Sequence, residues 1–362
     1  MNIAYTNGDI FTGHQIESKK AVLVTNAIVE AIVNESDIPS SYERHDLKGN
    51  LLAPAFIDLQ LYGGNGHMFL NDSMDAALDS TYQYCKQGGA GYFMMAMATN
   101  TMEQFVKGIE AVKRYKGKGL LGLHLEGPYL NPKKRGAHIE KYIKSPTLDE
   151  LKFLFDAGEG IIQMMTIAPE CCSDEAVDFL VSRGIILSAG HTNATYAEAK
   201  KAFEKIPMAT HLYNAMSGLQ HRAPGVVGAI FDHASVKSSV VCDGIHADFA
   251  AVRIAKQIMK ERLFYITDAV TEITTGEYQH LFKEDHYALP DGTLSGSSLT
   301  MLQCVKNGVE QLGITLEESL RMASSYPGSM VNTTRIGVIE AKAAASFCII
   351  DKQLTLLEFI EA

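Results

Sequence analysis

The sequence predicts an α/β fold: a (β/α)₈, TIM-like barrel with a small β-domain built from both chain termini. Three observations carry this prediction. Eight short apolar runs alternate with amphipathic stretches through the middle of the chain, the texture of parallel βα units. Polar residues able to bind metal follow four of those runs, as expected where barrel strands reach the C-terminal rim. Both chain ends instead carry short alternating segments typical of antiparallel strands. The 362 residues suffice for a barrel of about 250 residues plus an appendage.

At the N-terminus, Ile3-Ala4-Tyr5 and Asp9-Ile10-Phe11 flank Asn7-Gly8, a hairpin signal. Val22-Leu23-Val24 and Ile28 to Val33 continue the pattern, and Ile336 to Glu340 and Phe347 to Ile350 echo it at the other end. The expected division is therefore a β-domain from 1–52 and 335–362 around a barrel at 53–334. Barrel strands are expected at Phe56–Leu61, Gly91–Ala96, Leu120–Leu125, Ile161–Ile167, Ile185–Ser188, Met208–Leu212, Ser239–Cys242 and Leu263–Thr267. Thr195-x-x-Glu198 and Thr315-x-x-Glu318 read as capping boxes that open two helices. The second of these helices should stop near Tyr326-Pro327-Gly328.

Composition narrows the function classes. Lys and Arg number 32 against 42 Asp and Glu, a net charge of −10 that would repel nucleic acid and anionic membranes. The one dense basic run, Lys133-Lys134-Arg135, is too short for a nucleic-acid face and reads as a solvated loop. No run approaches the roughly 18 apolar residues of a membrane span. No secretory signal is visible. Six scattered cysteines without C-x-x-C spacing read as free thiols, so the expected location is cytoplasmic.

The chemistry-bearing residues are Glu126 after Leu-Gly-Leu-His-Leu, His191 after Ile-Leu-Ser-Ala-Gly, His211 in Met-Ala-Thr-His, and Asp268 after Phe-Tyr-Ile-Thr. A single strand-end histidine is more often a satisfied core residue than a ligand. Four such residues at equivalent rim positions are harder to explain that way. Two imidazoles and a carboxylate with an open fourth position describe a catalytic zinc-type site. Asp268 is then left over as a base. His124, two residues before Glu126 on one strand face, reads as packing or support, the Met94, Met95 and Met97 cluster as barrel filling, and Cys171-Cys172 as incidental.

These motifs resemble the N-acetylglucosamine-6-phosphate deacetylase family of the amidohydrolase superfamily. The matching stretches are Pro54-Ala-Phe-Ile-Asp-Leu-Gln60, Gly122-Leu-His-Leu-Glu-Gly-Pro-Tyr-Leu130, Ser188-Ala-Gly-His-Thr-Asn-Ala-Thr195 and Ala209-Thr-His-Leu-Tyr-Asn-Ala-Met216, followed by Asp243-Gly-Ile-His246, Thr267-Asp-Ala269 and Gly292-Thr-Leu-Ser-Gly-Ser297. The resemblance implies a barrel with a β-sandwich from both termini. It implies hydrolysis of N-acetylglucosamine 6-phosphate to glucosamine 6-phosphate and acetate. It makes Glu126, His191 and His211 ligands of one divalent ion, zinc by preference, with iron, cobalt or manganese as alternatives. Asp268 becomes the acid/base and His138, in Arg135-Gly-Ala-His138, the partner of the acyl oxygen. Ala137, Asn214, Ala215, Arg222, Asp243, His246 and the loop Leu294-Ser295-Gly296 become substrate contacts, with Arg222 reaching across a homodimer into the neighbouring site. Three rivals stand beside this reading: a deacetylase of N-acetylgalactosamine 6-phosphate or another acylated sugar phosphate, a different amide hydrolase or deaminase of the superfamily, and an inactive sugar-phosphate-binding homologue.

The chain departs from superfamily pattern at the end of its first strand, where Gln60-x-Tyr62 stands in place of His-x-His. Those imidazoles supply ligands for a second ion, so a single metal is expected here. Ala55 and the segment from Ala341 to Ser346 also depart, in the β-domain rather than in the site.

Overall fold

The computed structural model describes residues 1–70, 74–331 and 335–362; the expected barrel end at residue 334 lies outside them. The described chain divides into two compact units. One comprises Met1–Asp58, Tyr84–Tyr92 and Thr300–Ala362, and the other Leu59–Gln83 and Phe93–Leu299.

The central element is one eight-stranded sheet in chain order. Its strands are β1 (Phe56–Leu61), β2 (Ala90–Ala98), β3 (Leu120–Glu126), β4 (Ile162–Ile167), β5 (Ile186–Ala189), β6 (Met208–Ala209), β7 (Lys237–Val240) and β8 (Leu263–Tyr265). Pairing from β2 to β8 is parallel throughout. The first and last strands meet just past their ends, where Asp268 N–H donates to Gln60 O at 2.9 Å and Tyr62 N–H to Ala269 O at 2.8 Å. A sheet joined at both edges leaves no open edge to pair elsewhere.

Every expected barrel strand is present, but β6 stops three residues and β7 and β8 two residues earlier than expected. The apolar run continues past each ladder because the backbone turns into the rim while the side chains stay buried. Helices follow the strands, and their start points are set by caps. Thr101, Thr147, Ser173, Thr195, Asp248 and Thr300 each accept a backbone N–H of the first turn, worth about 1 kcal/mol apiece. Thr195–Glu198 forms the full reciprocal box. Thr315 caps its helix too, but the Glu318 carboxylate turns to Arg321 and Tyr326, so the second box is only half made.

The terminal strands form two further sheets. One joins Asn2–Thr6, Lys20–Thr25, Ile28–Asn34 and Glu43–Asp46; the other joins Asp9–Phe11, Ile16–Glu17, Leu51–Pro54, Phe347–Ile350 and Leu356–Ile360. Tyr5, Val22 and Val24 of the first pack with Ile10, Leu52 and Phe347 of the second in one core, a β-sandwich from both chain ends.

Asn7-Gly8 does not close a hairpin. The strands on either side belong to different sheets, and Asn7 spends its N–H on Glu35 and its amide on Asp46. Its left-handed backbone serves a crossing between sheets instead. Residues 336–340 form no strand; Ile339 is tied to Thr12 O by a single backbone bond. Between β8 and the helix Met301–Glu310 lies a three-stranded antiparallel sheet, Leu281–Lys283, His286–Ala288 and Leu294–Ser297, which the sequence reading missed. Leu294, Ser295 and Gly296 are therefore strand residues rather than a loop.

Candidate active site

The rim residues reach the site because the chain turns sharply as it leaves each strand. Glu126 ends β3. His191, His211 and Asp268 lie two or three residues beyond β5, β6 and β8, with φ of +46°, +34° and +54°. Left-handed backbone costs a side-chain-bearing residue about 1–3 kcal/mol and persists only where its surroundings fix it. Gly190 permits the turn before His191, since a Cβ there would lie 2.6 Å from Thr166 Cγ2.

Donors converge on Glu126. Its Oε1 lies 3.0 Å from His211 Nε2, 3.3 Å from His191 Nε2 and 3.1 Å from Gln60 Nε2. Its Oε2 lies 3.2 Å from His138 Nε2 and accepts the Tyr62 hydroxyl. The two imidazole nitrogens of His191 and His211 are 3.1 Å apart. Ligand atoms of Glu126, His138 and His191 fall within 4.8 Å of one another, all buried. Two or more imidazoles around one buried carboxylate is the donor chemistry of a zinc-type ion, and these residues fit such a group.

Hydrogen bonds distinguish the histidines. Thr99 N–H donates to His138 Nδ1 at 3.2 Å. That nitrogen is therefore the lone-pair side, and in the neutral ring Nε2 carries the hydrogen that faces Glu126. His191 is the reverse: Nδ1 lies 2.8 Å from Lys134 O, so its hydrogen is used there and Nε2 presents a lone pair to the cluster. His211 Nδ1 is buried without a hydrogen-bond partner among the described residues, which leaves its tautomer open. His124 has both nitrogens engaged, at 2.7 Å from Thr166 Oγ1 and 3.2 Å from Leu59 O. Burial pulls its pKa down to about 4, so it stays a neutral brace.

The acids are driven apart. Burial works to raise the Glu126 pKa, but the surrounding His191, His138 and His211 imidazoles hold it well below the usual range. Asp268 goes up, first through burial and then through the neighbouring Glu126 charge. Burial lowers His191, whereas Glu126 outweighs burial at His211 and lifts it to about 8. Gln60 bridges the two acids, donating to Asp268 Oδ1 at 2.8 Å as well as to Glu126. Such a separation of two neighbouring carboxylates marks acid/base sites.

A cavity of about 160 Å³ opens over this cluster, and Ala137, Asn214, Ala215, His246, Leu294 and Ser295 all line it. Asp243 sits behind His246, accepting its Nδ1–H at 2.6 Å and two backbone N–H groups. Burial alone would raise the Asp243 pKa, but the His246 contact lowers it. His246 Nε2 has no partner among the described residues. Gly296 packs on the backbone of Asp268, with room for no Cβ: one would lie 2.9 Å from Asp268 O. Arg222 differs from the rest. It lies in an exposed loop and is not among the residues lining the cavity of its own chain.

Three contributors were not foreseen. Thr99 ends β2's run beside His138. Tyr278 and His280 come from the segment after β8 and line the cavity. Tyr278 donates its hydroxyl to Thr99 O at 2.6 Å, and His280 Nδ1 lies 3.0 Å from Ser295 Oγ. No periodicity marks that segment, so nothing in the sequence pointed to these two side chains.

Residues 51–361 match the Amidohydrolase family and residues 3–52 the NagA composite domain. N-acetylglucosamine-6-phosphate deacetylase of Haemophilus influenzae is 34% identical over 364 residues, covering 96% of this chain and 95% of the relative. N-acetylgalactosamine-6-phosphate deacetylase of Escherichia coli O157:H7 is 30% identical, covering 91% of this chain and 90% of the relative. The crystal structure of N-acetylglucosamine-6-phosphate deacetylase from Pasteurella multocida aligns with a TM-score of 0.93 at 33% identity, over 99% of this chain and 98% of that one.

Proposed function

Because the chain belongs to the amidohydrolase family of metal-dependent enzymes, we propose that it hydrolyses the N-acetyl group of N-acetylglucosamine 6-phosphate, giving glucosamine 6-phosphate and acetate. The observation that carries this reading is the buried cluster of Glu126, His191 and His211 beside a bridged Asp268, at the floor of a cavity lined by Asn214 and His246.

Glu126, His191 and His211 would hold one divalent ion, with zinc favoured by the imidazole and carboxylate donors and iron, cobalt or manganese as alternatives. When bound, such an ion polarises the acyl carbonyl and lowers the pKa of water to about 7. Asp268 takes the proton of the attacking water and delivers it to the departing amine. Its raised pKa suits a group that must gain and lose a proton in one turnover. Gln60 occupies Oδ1, which leaves Oδ2 for the transfer. His138 presents Nε2–H to the oxygen that becomes negative as water adds, a role its Thr99-fixed tautomer supports.

The phosphate would sit at the other end of the cavity. With Asp243 holding its Nδ1–H, His246 would direct Nε2 at the phosphate end of the substrate. Arg222 of a second subunit would supply the guanidinium fork that this chain does not bring to its own cavity. The protein would then act as a homodimer, in the cytoplasm, where its six free cysteines would be kept reduced. The proposed domain division remains 1–52 and 335–362 around 53–334.

The N-acetylgalactosamine relative supports a second reading, the 4-epimeric substrate. Acetate release from both sugar phosphates by zinc-loaded protein tests the two together. Turnover of the glucosamine compound with the larger kcat/KM is expected, and a preference for the galactosamine compound would transfer the assignment to that epimer. Release from neither would support the inactive homologue.

A further inference from the structure

We infer that Glu170, which lies outside the cavity, is a positioning residue for His191 and thereby for the metal affinity of the centre; this rests on the metal reading above. Glu170 follows β4 in a short 3₁₀ turn, Pro169–Cys171. Its carboxylate accepts three donors: Asn131 Nδ2 at 2.9 Å, Thr192 Oγ1 at 2.5 Å and the Asn193 N–H at 2.6 Å. These come from the two loops that hold His191.

One grip is on the backbone. His191 has φ +46°, a strained conformation that the residues after it must enforce. Thr192 and Asn193 are those residues, and both bind Glu170. The other grip is on the ring. Asn131 N–H donates to His191 O at 2.9 Å, and Asn131 Oδ1 caps the short helix Pro132–Lys134 through Lys133 N–H at 3.0 Å. That helix ends at Lys134, whose carbonyl holds His191 Nδ1 at 2.8 Å and so directs the Nε2 lone pair at Glu126. Among the described residues, Glu170 is the side chain that binds both loops. No cation is needed to satisfy it, since three neutral donors meet its two oxygens. A carboxylate suits the place because both of its oxygens accept, whereas a side chain without them leaves the Asn131 amide and the Asn193 N–H without this acceptor.

Loss of this clamp should let the His191 turn relax and its ring rotate while the barrel stays intact. Groups that orient a metal ligand commonly change metal affinity about 10- to 100-fold when removed. The test is zinc affinity by chelator competition on the purified full chain, wild type against Glu170→Ala, with thermal unfolding of the metal-free proteins in parallel. Glu170→Ala should bind zinc about 10- to 100-fold more weakly, with KM unchanged and most of kcat restored by excess zinc. Thr192→Val, which removes one of the three donors, should weaken zinc binding in the same direction by a few-fold. Zinc affinity equal to wild type in folded Glu170→Ala would overturn the inference, even if its unfolding temperature dropped, because that is the outcome of a merely structural role. Should Glu170→Ala not fold, unchanged zinc affinity in Thr192→Val overturns it alone. A wild-type chain that binds no zinc refutes the metal centre itself, a different failure from the loss of the Glu170 effect.

Discussion

The two ends of the cavity are built to different standards of rigidity. At the floor, Glu126, His138, His191, His211 and Asp268 are each at most 8% exposed; the first four meet at hydrogen-bond distance, and Gln60 joins Asp268 to Glu126. At the mouth, Asn214, Ala215, His246, Leu294 and Ser295 are half-buried. The floor therefore carries preorganised charge whose desolvation the fold has already met, whereas the mouth keeps His246 Nε2 without a partner among the described residues. Chemistry should fail when the floor is altered, and binding when the mouth is altered.

The largest effect should follow Asp268→Asn, which keeps the shape of the floor but removes the base. We expect kcat to fall by about 10²- to 10⁴-fold with zinc binding retained, measured by acetate release and metal analysis on the same sample. Activity within a few-fold of wild type would remove Asp268 from the mechanism. Arg222→Ala probes the other end. Its KM should rise roughly tenfold to a hundredfold for the phosphorylated sugar, with kcat nearly kept and the unphosphorylated sugar little affected. Equal losses on both sugars would make Arg222 structural and erase the contrast between floor and mouth.

His280 sharpens the comparison, because it lines the cavity yet is buried like a floor residue. Burial lowers its pKa to about 4. The unfolded chain, titrating near 6.5, holds more protons between those values. Stability contributed by the neutral ring is thus complete above pH 6.5 and lost as pH falls toward 4, on the order of 3 kcal/mol in all. Urea denaturation from pH 7 down to 4.5 should show a shallower decline for His280→Gln than for wild type. Superimposable curves would mean that His280 accepts its proton without cost.

How much of this was legible in the sequence follows the same division. Glu126, His191, His211 and Asp268 stood out because each breaks an apolar run at a strand end, where barrel geometry gives a polar side chain a defined place. The strands themselves were legible because burial on both faces makes them continuous apolar runs. Tyr278, His280 and Glu170 were not, since each acts from a connecting segment whose position depends on contacts 15 or more residues away. Asn7-Gly8 misled for a related reason: a left-handed turn serves a hairpin and a crossing between sheets equally well, and only the pairing of the flanking strands distinguishes them. His138 was known from its motif alone, and its direction as a donor came from Thr99, a partner 39 residues away.

The floor holds one further distinction, at the end of β1. Gln60 donates through its amide to both Glu126 and Asp268, and Tyr62 donates to Glu126. Burial and the two carboxylate charges push the Tyr62 phenol well above its ordinary pKa, so it remains a hydrogen-bond donor. Two donors occupy the place where a second ion would need two lone pairs. The most direct test is the activity of metal-stripped protein titrated with zinc, with bound metal measured at each step. Activity should rise linearly and level off at one equivalent per chain. A rise that continues to two equivalents would contradict the single-metal centre built on Glu126, His191 and His211.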